Sequence, residues 1–123
     1  MPEYHAEPGA DPPPTRLDGP TVLPLHGEID LLTAPALVER LDALTARPNL
    51  DLVLDLRTVA FIDCAGLAIL CRTRNRVLAR RGRLRLVTES ADFLRMLRAA
   101  GLGGVFEVQP RLPEPLPGLP GSW

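Results

Sequence analysis

Apolar and polar residues alternate along the centre of the chain in a way that predicts strands and helices in turn. Residues 21–26 carry the pattern of a strand, and Pro24 favours the edge of the sheet because proline cannot donate a ladder hydrogen bond. Gly27 then allows a turn. A second strand is predicted at 50–56, where apolar residues run together, and Phe61–Ile62 makes a further short apolar step.

Three other segments place apolar residues at helical spacing. The first helix is predicted from its N-cap Thr33 to about Arg47. The second is predicted over 66–81 and ends at Gly82, since glycine is common after helix C-termini. The third follows Ser90, whose hydroxyl group can cap a helix.

Short apolar runs at 84–87 and 105–108 predict two more strands. The order is then strand, helix, strand, helix, strand, helix, strand. Parallel neighbours in a sheet need crossover connections of this kind. The sequence therefore predicts an α/β fold with a small mixed, mostly parallel β-sheet flanked by helices.

Proline concentrates at the two ends of the chain. Neither end has a composition that buries enough apolar surface to offset the entropy lost on ordering. We therefore expect a flexible proline-rich tail at 1–20, one domain at 21–108 and a proline-rich tail at 109–123. The second tail is expected to be extended or disordered, with docking onto a partner as the sharper alternative.

The bulk composition suits one globular domain with no preference for polyanions. The chain has 123 residues, of which 46% are apolar and 24% charged, and its net charge is -1. This charge gives no overall attraction to nucleic acid or to an anionic membrane. The sequence shows neither a secretory leader pattern nor an apolar run of membrane-spanning length, so we expect a cytoplasmic protein without membrane insertion.

Residues of the types that catalysis and metal binding need are sparse. His5 and His26 are isolated from other ligand-type residues. Cys64 and Cys71 are about 10 Å apart along a helix, too far for a disulfide. We therefore expect no catalytic activity, no bound metal and no cofactor.

The most distinctive segment is 59–67, where an apolar strand gives way to a helix. Free N–H groups at a helix start favour negative charge, and Gly66 allows another backbone to approach. Asp63 has two interpretations, a simple helix cap or a contact to a binding partner. Cys64 lies at the helix start, a position at which cysteines can be reactive.

A run of arginines follows this segment. Seven of them lie within residues 72–85, which contain no carboxylate. One interpretation is a surface for an acidic partner or for nucleic acid, and the other is a solvated helix face. The lack of aromatic residues among the arginines favours the solvated face.

Several short segments together resemble the STAS domain family, which includes anti-sigma factor antagonists and the cytoplasmic ends of sulfate transporters. The resemblance covers about residues 21–108. It is carried, in this order, by Leu25-His26-Gly27-Glu28-Ile29-Asp30, Thr33-Ala34-Pro35, Leu54-Asp55-Leu56, Phe61-Ile62-Asp63-Cys64-Ala65-Gly66-Leu67, Gly82-Arg83-Leu84 and Gly101-Leu102.

This resemblance implies a non-catalytic domain that works by binding another protein. In the antagonists of this family the partner is an anti-sigma factor with a histidine-kinase-like ATP-binding fold, and its capture frees a sigma factor. Phosphorylation of a Ser or Thr in the pair after the residue that matches Asp63 disrupts binding by adding charge to the interface. The residues that match the family's partner-binding face are Asp30, Thr33, Asp63, Cys64, Ala65, Gly66 and Leu67.

Within that face, the resemblance makes Asp30 and Asp63 the acidic contacts and Leu67 either an apolar contact or a core residue. The pair at the usual phosphorylation site is Cys64-Ala65, and neither side chain has a hydroxyl group. The leading hypothesis is therefore an anti-sigma factor antagonist that works without the usual Ser/Thr phosphorylation switch.

Two alternatives stay open. The chain could be a scaffold or regulatory subunit of a signalling or transport complex, because STAS domains serve there too and a missing phosphorylation site suits a structural role. It could also be regulated by oxidation of Cys64 at the helix start. The sequence leaves the oligomeric state and the identity of the sigma factor open.

Overall fold

In the described part of the chain, five strands form one sheet, and three helices connect four of them. The structure is a computed structural model that describes residues 15–16 and 19–114. The strands are β1 (Thr15–Arg16), β2 (Thr21–Ile29), β3 (Asp51–Ile62), β4 (Arg83–Val87) and β5 (Glu107–Gln109). The helices are α1 (Ala34–Leu44), α2 (Cys64–Ala79) and α3 (Ala91–Ala99).

The strands lie side by side in the order β1-β2-β3-β4-β5. β1 is antiparallel to β2, and each of the following neighbouring pairs is parallel. The predicted α/β fold with a mixed, mostly parallel sheet is therefore confirmed. β1 falls within the segment 1–20 that we expected to be a flexible tail, whereas residues 1–14, 17–18 and 115–123 lie outside the described residues.

β2 is longer than its apolar pattern predicts. It continues to Ile29, so the predicted turn at Gly27 is wrong. Gly27 has a φ of 68°, and the pairing of β2 with β3 shifts register on both sides of this region. The strand accommodates the left-handed conformation of Gly27 by a local irregularity in its pairing, and it continues towards the end of the sheet.

β3 joins the two apolar pieces that the sequence shows separately. Its 12 residues run without interruption from Asp51 to Ile62. The N-terminal part pairs with both β2 and β4, and the pairing with β4 ends at Asp55. The rest of β3 extends beyond β4 with β2 as its only paired neighbour among the described strands. The C-terminal part of β3, which we call the β3 overhang, therefore projects beyond the end of β4.

The helices pack on one face of the sheet. Strand and helix side chains share one buried cluster, which includes Leu23, Leu52, Leu54 and Leu86 from the strands and Leu37, Leu41, Leu70, Val77, Phe93 and Leu97 from the helices. Side chains alternate between the two faces of a strand. The opposite face accordingly carries a second cluster, formed by Val22, Val53 and Val87 with Leu112 packed against it.

The end of α2 differs from the prediction at Gly82. The left-handed residue after the helix is Arg81, with a φ of 63°. The Gly82 N–H donates to the Val77 carbonyl at 2.8 Å, and the Arg81 N–H donates to the Leu78 carbonyl at 3.1 Å, a Schellman arrangement. Glycine is needed at 82 for space, because a Cβ there would lie 2.4 Å from the Leu50 carbonyl oxygen.

We expect the substitution Gly82→Ala to lower the free energy of unfolding by about 1–3 kcal/mol, because the added methyl group forces the α2–β4 turn away from Leu50. Urea denaturation measures this loss. Gly103→Ala is the matched control, since its Cβ would meet only Arg98, whose flexible side chain is nearest at 3.2 Å. Equal stability of the two variants would contradict the close-approach explanation.

Candidate functional site

Two of the predicted site residues, Asp30 and Asp63, lie at the same end of the sheet, where β2 and β3 finish. Ile29 at the end of β2 is paired with Ile62 at the end of β3, and each aspartate directly follows one of these residues. The Asp63 N–H donates to the Ile29 carbonyl at 3.2 Å. The chain thus leaves both parallel strands at one place, which brings the β2–α1 turn next to the start of α2.

The β2–α1 turn is fixed by reciprocal hydrogen bonds between Asp30 and Thr33. Oδ1 of Asp30 accepts from the N–H groups of Leu32 and Thr33 at 3.0 and 3.1 Å. The Asp30 N–H donates to Oγ1 of Thr33 at 3.0 Å, and this hydroxyl donates to the Glu28 carbonyl at 3.0 Å. The turn therefore has one defined shape.

This geometry corrects the predicted role of the Thr33 side chain. Thr33 is the residue that precedes α1, but its hydroxyl group makes no capping hydrogen bond to the helix. The Asp30 carboxylate reaches the amides of the turn first and organises them as an Asx turn. The Thr33 hydroxyl is left to hold the turn onto the end of β2.

The turn presents two leucines to solvent that the sequence analysis did not single out. Leu31 is 74% exposed and Leu32 is 90% exposed. They lie between Asp30 and Thr33, outside the periodic positions of β2 and α1, and that position is the signal that could have found them. Large apolar side chains this exposed on a rigid turn are typical of a protein-binding surface.

The start of α2 lies beside this turn. Oδ1 of Asp63 accepts from the Gly66 N–H at 3.0 Å, which confirms the helix-capping interpretation of Asp63. The helix begins at Cys64, two residues before the predicted start at Gly66. Cys64 is exposed and Ala65 is half-buried. The pair that lacks a hydroxyl group therefore occupies the exposed first turn of α2.

Gly66 and Leu67 lie beneath the surface. A Cβ on Gly66 would lie 2.4 Å from Cγ1 of Ile62 and 2.6 Å from the Ile29 carbonyl oxygen. The backbone that approaches Gly66 is therefore the chain's own β2. Leu67 is 6% exposed and belongs to the buried core. Of the two interpretations of Leu67, the structure favours the core residue.

A shallow groove of about 250 Å³ adjoins this edge between the β3 overhang and α3. It is lined mainly by apolar side chains, among them Leu56, Phe93 and Met96. Its polar members are Thr88, Ser90 and Asp92. Phe61, which is 52% exposed, belongs to the same lining. The groove extends the apolar surface along the edge of the sheet.

Reactive side chains are scattered in the described part of the chain. No group of three or more His, Cys, Asp or Glu side chains that could hold a metal ion occurs among the described residues. His26 contacts Thr58, with Nδ1 and Oγ1 2.7 Å apart. Cys64 and Cys71 are both free thiols. None of the described helices is long and apolar enough to cross a bilayer.

Some members of the arginine-rich segment form ion pairs with carboxylates of neighbouring elements. Asp42 on α1 forms ion pairs with Arg72 and Arg76 of α2, and the hydrogen bond from Arg72 lowers the pKa of the Asp42 carboxyl group. In the strands, Arg83 pairs with Glu107, and Arg85 with Asp51. Four of the seven arginines thus join neighbouring elements, which neither interpretation of the sequence foresaw.

Comparison with known proteins finds a matching family and several similar sequences. A family model described as the STAS domain matches residues 11–114, a longer range than the expected 21–108. The chain is 33% identical over 105 residues to the anti-sigma-F factor antagonist RsfB of Mycobacterium tuberculosis, with 85% of each chain covered. It is 32% identical over 84 residues to an anti-sigma-B factor antagonist of Bacillus subtilis, with 68% of this chain and 76% of the relative covered.

Solved structures resemble this fold over most of the chain. A crystal structure of an anti-sigma factor antagonist from Mycobacterium paratuberculosis superposes with a TM-score of 0.73 at 31% identity, covering 88% of this chain and 92% of the other. The anti-sigma factor antagonist SpoIIAA in its unphosphorylated form gives a TM-score of 0.61 at 14% identity, covering 80% of this chain and 86% of the other. The second likeness concerns the fold alone.

We expect Asp63→Ala to lower the free energy of unfolding by about 1 kcal/mol, because the Gly66 N–H loses its acceptor. Asp63→Ser should keep most of the stability, since a serine oxygen can accept the same hydrogen bond. Urea denaturation of both variants tests the cap. Equal losses in the two would show that Asp63 stabilises the fold by its charge and not by capping.

Proposed function

Since this chain belongs to the STAS domain family, we propose that it is an anti-sigma factor antagonist. It binds an anti-sigma factor with a histidine-kinase-like ATP-binding fold and thereby releases a sigma factor. The observation that carries this proposal is the rigid turn that exposes Leu31 and Leu32 beside the first turn of α2. The antagonists among its relatives support the general role.

The proposed interface has an apolar centre on a preorganised backbone. Leu31 and Leu32 are held outward by a turn whose amides are already bonded to the Asp30 carboxylate. A fixed turn loses little conformational entropy when it binds, so the burial of both side chains goes largely into affinity. The exposed Cys64 and the half-buried Ala65 then form the adjoining part of the surface.

Asp30, Thr33 and Asp63 have positioning roles in this proposal. Asp30 and Thr33 set the shape of the turn, and Asp63 fixes the first turn of α2. Both carboxylates are only half-buried, so each keeps oxygen lone pairs for a basic or amide group of the partner. Gly66 and Leu67 act from below, by allowing α2 to lie against β2.

The usual phosphorylation switch is absent from this proposal, because the exposed pair at the start of α2 is Cys64-Ala65. A phosphate would add about -1.5 to -2 charges at that position. Without a hydroxyl acceptor at positions 64 and 65, the kinase cannot add this charge to the first turn of α2. We therefore propose that binding follows the amount of the protein in the cell.

We expect the double substitution L31S/L32S to weaken binding to the anti-sigma factor by about 10-fold or more, because two apolar anchors are lost at the centre of the interface. Unfolding free energy should change little, since both side chains are exposed in the free protein. Calorimetric titration with the purified anti-sigma factor measures the affinity.

Leu78→Ser is the matched control for this experiment. Leu78 is a leucine on α2 that is 46% exposed and lies far along the helix from Cys64. Its substitution should leave the affinity within about two-fold, as expected for a surface residue outside the interface. Equal binding by all three proteins would move the interface away from the β2–α1 turn. Absence of binding by the wild-type chain would instead favour the scaffold alternative.

Incubation with the anti-sigma kinase and ATP should leave the intact mass of the wild-type protein unchanged, because residues 64 and 65 lack a hydroxyl group. The double variant C64S/A65S supplies the missing acceptors at the exposed helix start. It should gain the mass of one phosphate and then bind the anti-sigma factor more weakly, through repulsion and desolvation of the phosphate. A phosphate on residues 58–73 of the wild-type protein would contradict the proposal.

A further inference from the structure

The sheet has a second end, at which the charge has the opposite sign to that of the candidate site. We propose that this end is an interaction surface for an acidic protein segment that contains an apolar residue. We name it the basic end and define it by Arg47, Arg74, Arg80, Arg81 and Leu78. It goes beyond the proposed function, because it lies away from the β2–α1 turn and recognises opposite chemistry.

The fold brings the two turns of the basic end together. The α1–β3 turn and the α2–β4 turn are adjacent, because the Asn49 N–H donates to the Arg80 carbonyl at 2.8 Å. A second hydrogen bond, from the Arg83 N–H to the Leu50 carbonyl, has the same length. Arg47 and Arg81 lie within two residues of these contacts. Their positive charges are therefore concentrated at one place.

The cations of the basic end are available to a partner. Among the described residues, Arg47, Arg74, Arg80 and Arg81 form no ion pair with a carboxylate. This distinguishes them from the arginines that join α2 to α1 and β4 to its neighbours. Arg47 and Arg81 are exposed, and Arg74 and Arg80 are half-buried.

Arg81 occupies its position at a cost to stability. Its φ of 63° is in the left-handed region, where glycine is favoured over residues with a Cβ. The same position after α3 is Gly101, with a φ of 78°. Arginine at position 81 therefore makes the protein less stable than glycine would. Retention of strain of this kind at an exposed cation points to a use for the side chain.

The chemistry of the basic end favours an acidic peptide over a nucleic acid. Leu78 is 46% exposed and lies one helical turn from Arg74, so an apolar contact adjoins the charges. Neither of the segments that supply these residues, 45–50 and 72–85, contains an aromatic residue, and bases would need one for stacking. β3, which runs between the two ends, is about 40 Å long, so both surfaces can be occupied at once.

Fluorescence anisotropy of a labelled Glu-Glu-Leu repeat peptide tests this proposal on the full chain. The wild-type protein should bind it, and the matching Gln-Gln-Leu peptide should bind at least about five-fold more weakly, because its charges are missing. The substitution R81G should weaken binding of the acidic peptide by about five-fold, through loss of one cation. It should also raise Tm by roughly 3 °C, because glycine prefers the left-handed conformation.

The variant R95Q is the control, because it removes one positive charge from an arginine that pairs with Asp92 on α3. It should bind the acidic peptide within about two-fold of the wild type, if net charge alone has little effect. A single-stranded oligonucleotide and phosphatidylglycerol vesicles complete the comparison. Tighter binding of either probe than of the peptide would overturn the proposal, and so would equal peptide binding by R81G and the wild type.

Discussion

The candidate site depends on the close approach of α2 to β2 at Gly66. Here the helix backbone lies so near the Ile29 carbonyl and the Ile62 side chain that a methyl group has no space. The approach lets the Asp63 N–H bond to Ile29, and it lets the Asp63 carboxylate cap the helix that starts there. A larger residue at 66 would push α2 outward, and the first turn of α2 would then separate from the β2–α1 turn.

The spacing of apolar residues predicts most of the fold. Helices and strands that pack on a common core place their apolar side chains at different, regular intervals. The prediction fails where a backbone partner extends an element beyond its apolar positions. Arg57 and Thr58 are both polar and exposed, so the apolar pattern breaks within β3, yet pairing with β2 continues through this region. β1 has two residues, too few to show any period.

The caps and glycines show how far local signals can be trusted. Asp63 and Ser90 are predicted correctly as caps, because their acceptors bond to amides three residues ahead. Thr33 is not, because Asp30 competes for the amides of the same turn. A glycine after a helix can serve conformation or space, and for Gly82 the contact with the distant Leu50 decides. Whether a leucine such as Leu31 or Leu32 is exposed likewise depends on how the whole chain folds and not on the local sequence.

The loss of the hydroxyl pair has a consequence for the charge of the two ends. At the candidate site, Asp30 and Asp63 hold their carboxylates in fixed hydrogen bonds, and Cys64-Ala65 adds no ionisable phosphate. A kinase therefore finds no hydroxyl group to phosphorylate at positions 64 and 65. Control must then enter through the amount of the protein or through another surface. The basic end is the candidate for this other surface, because an acidic segment bound there leaves the β2–α1 turn open and places a second partner on the same molecule.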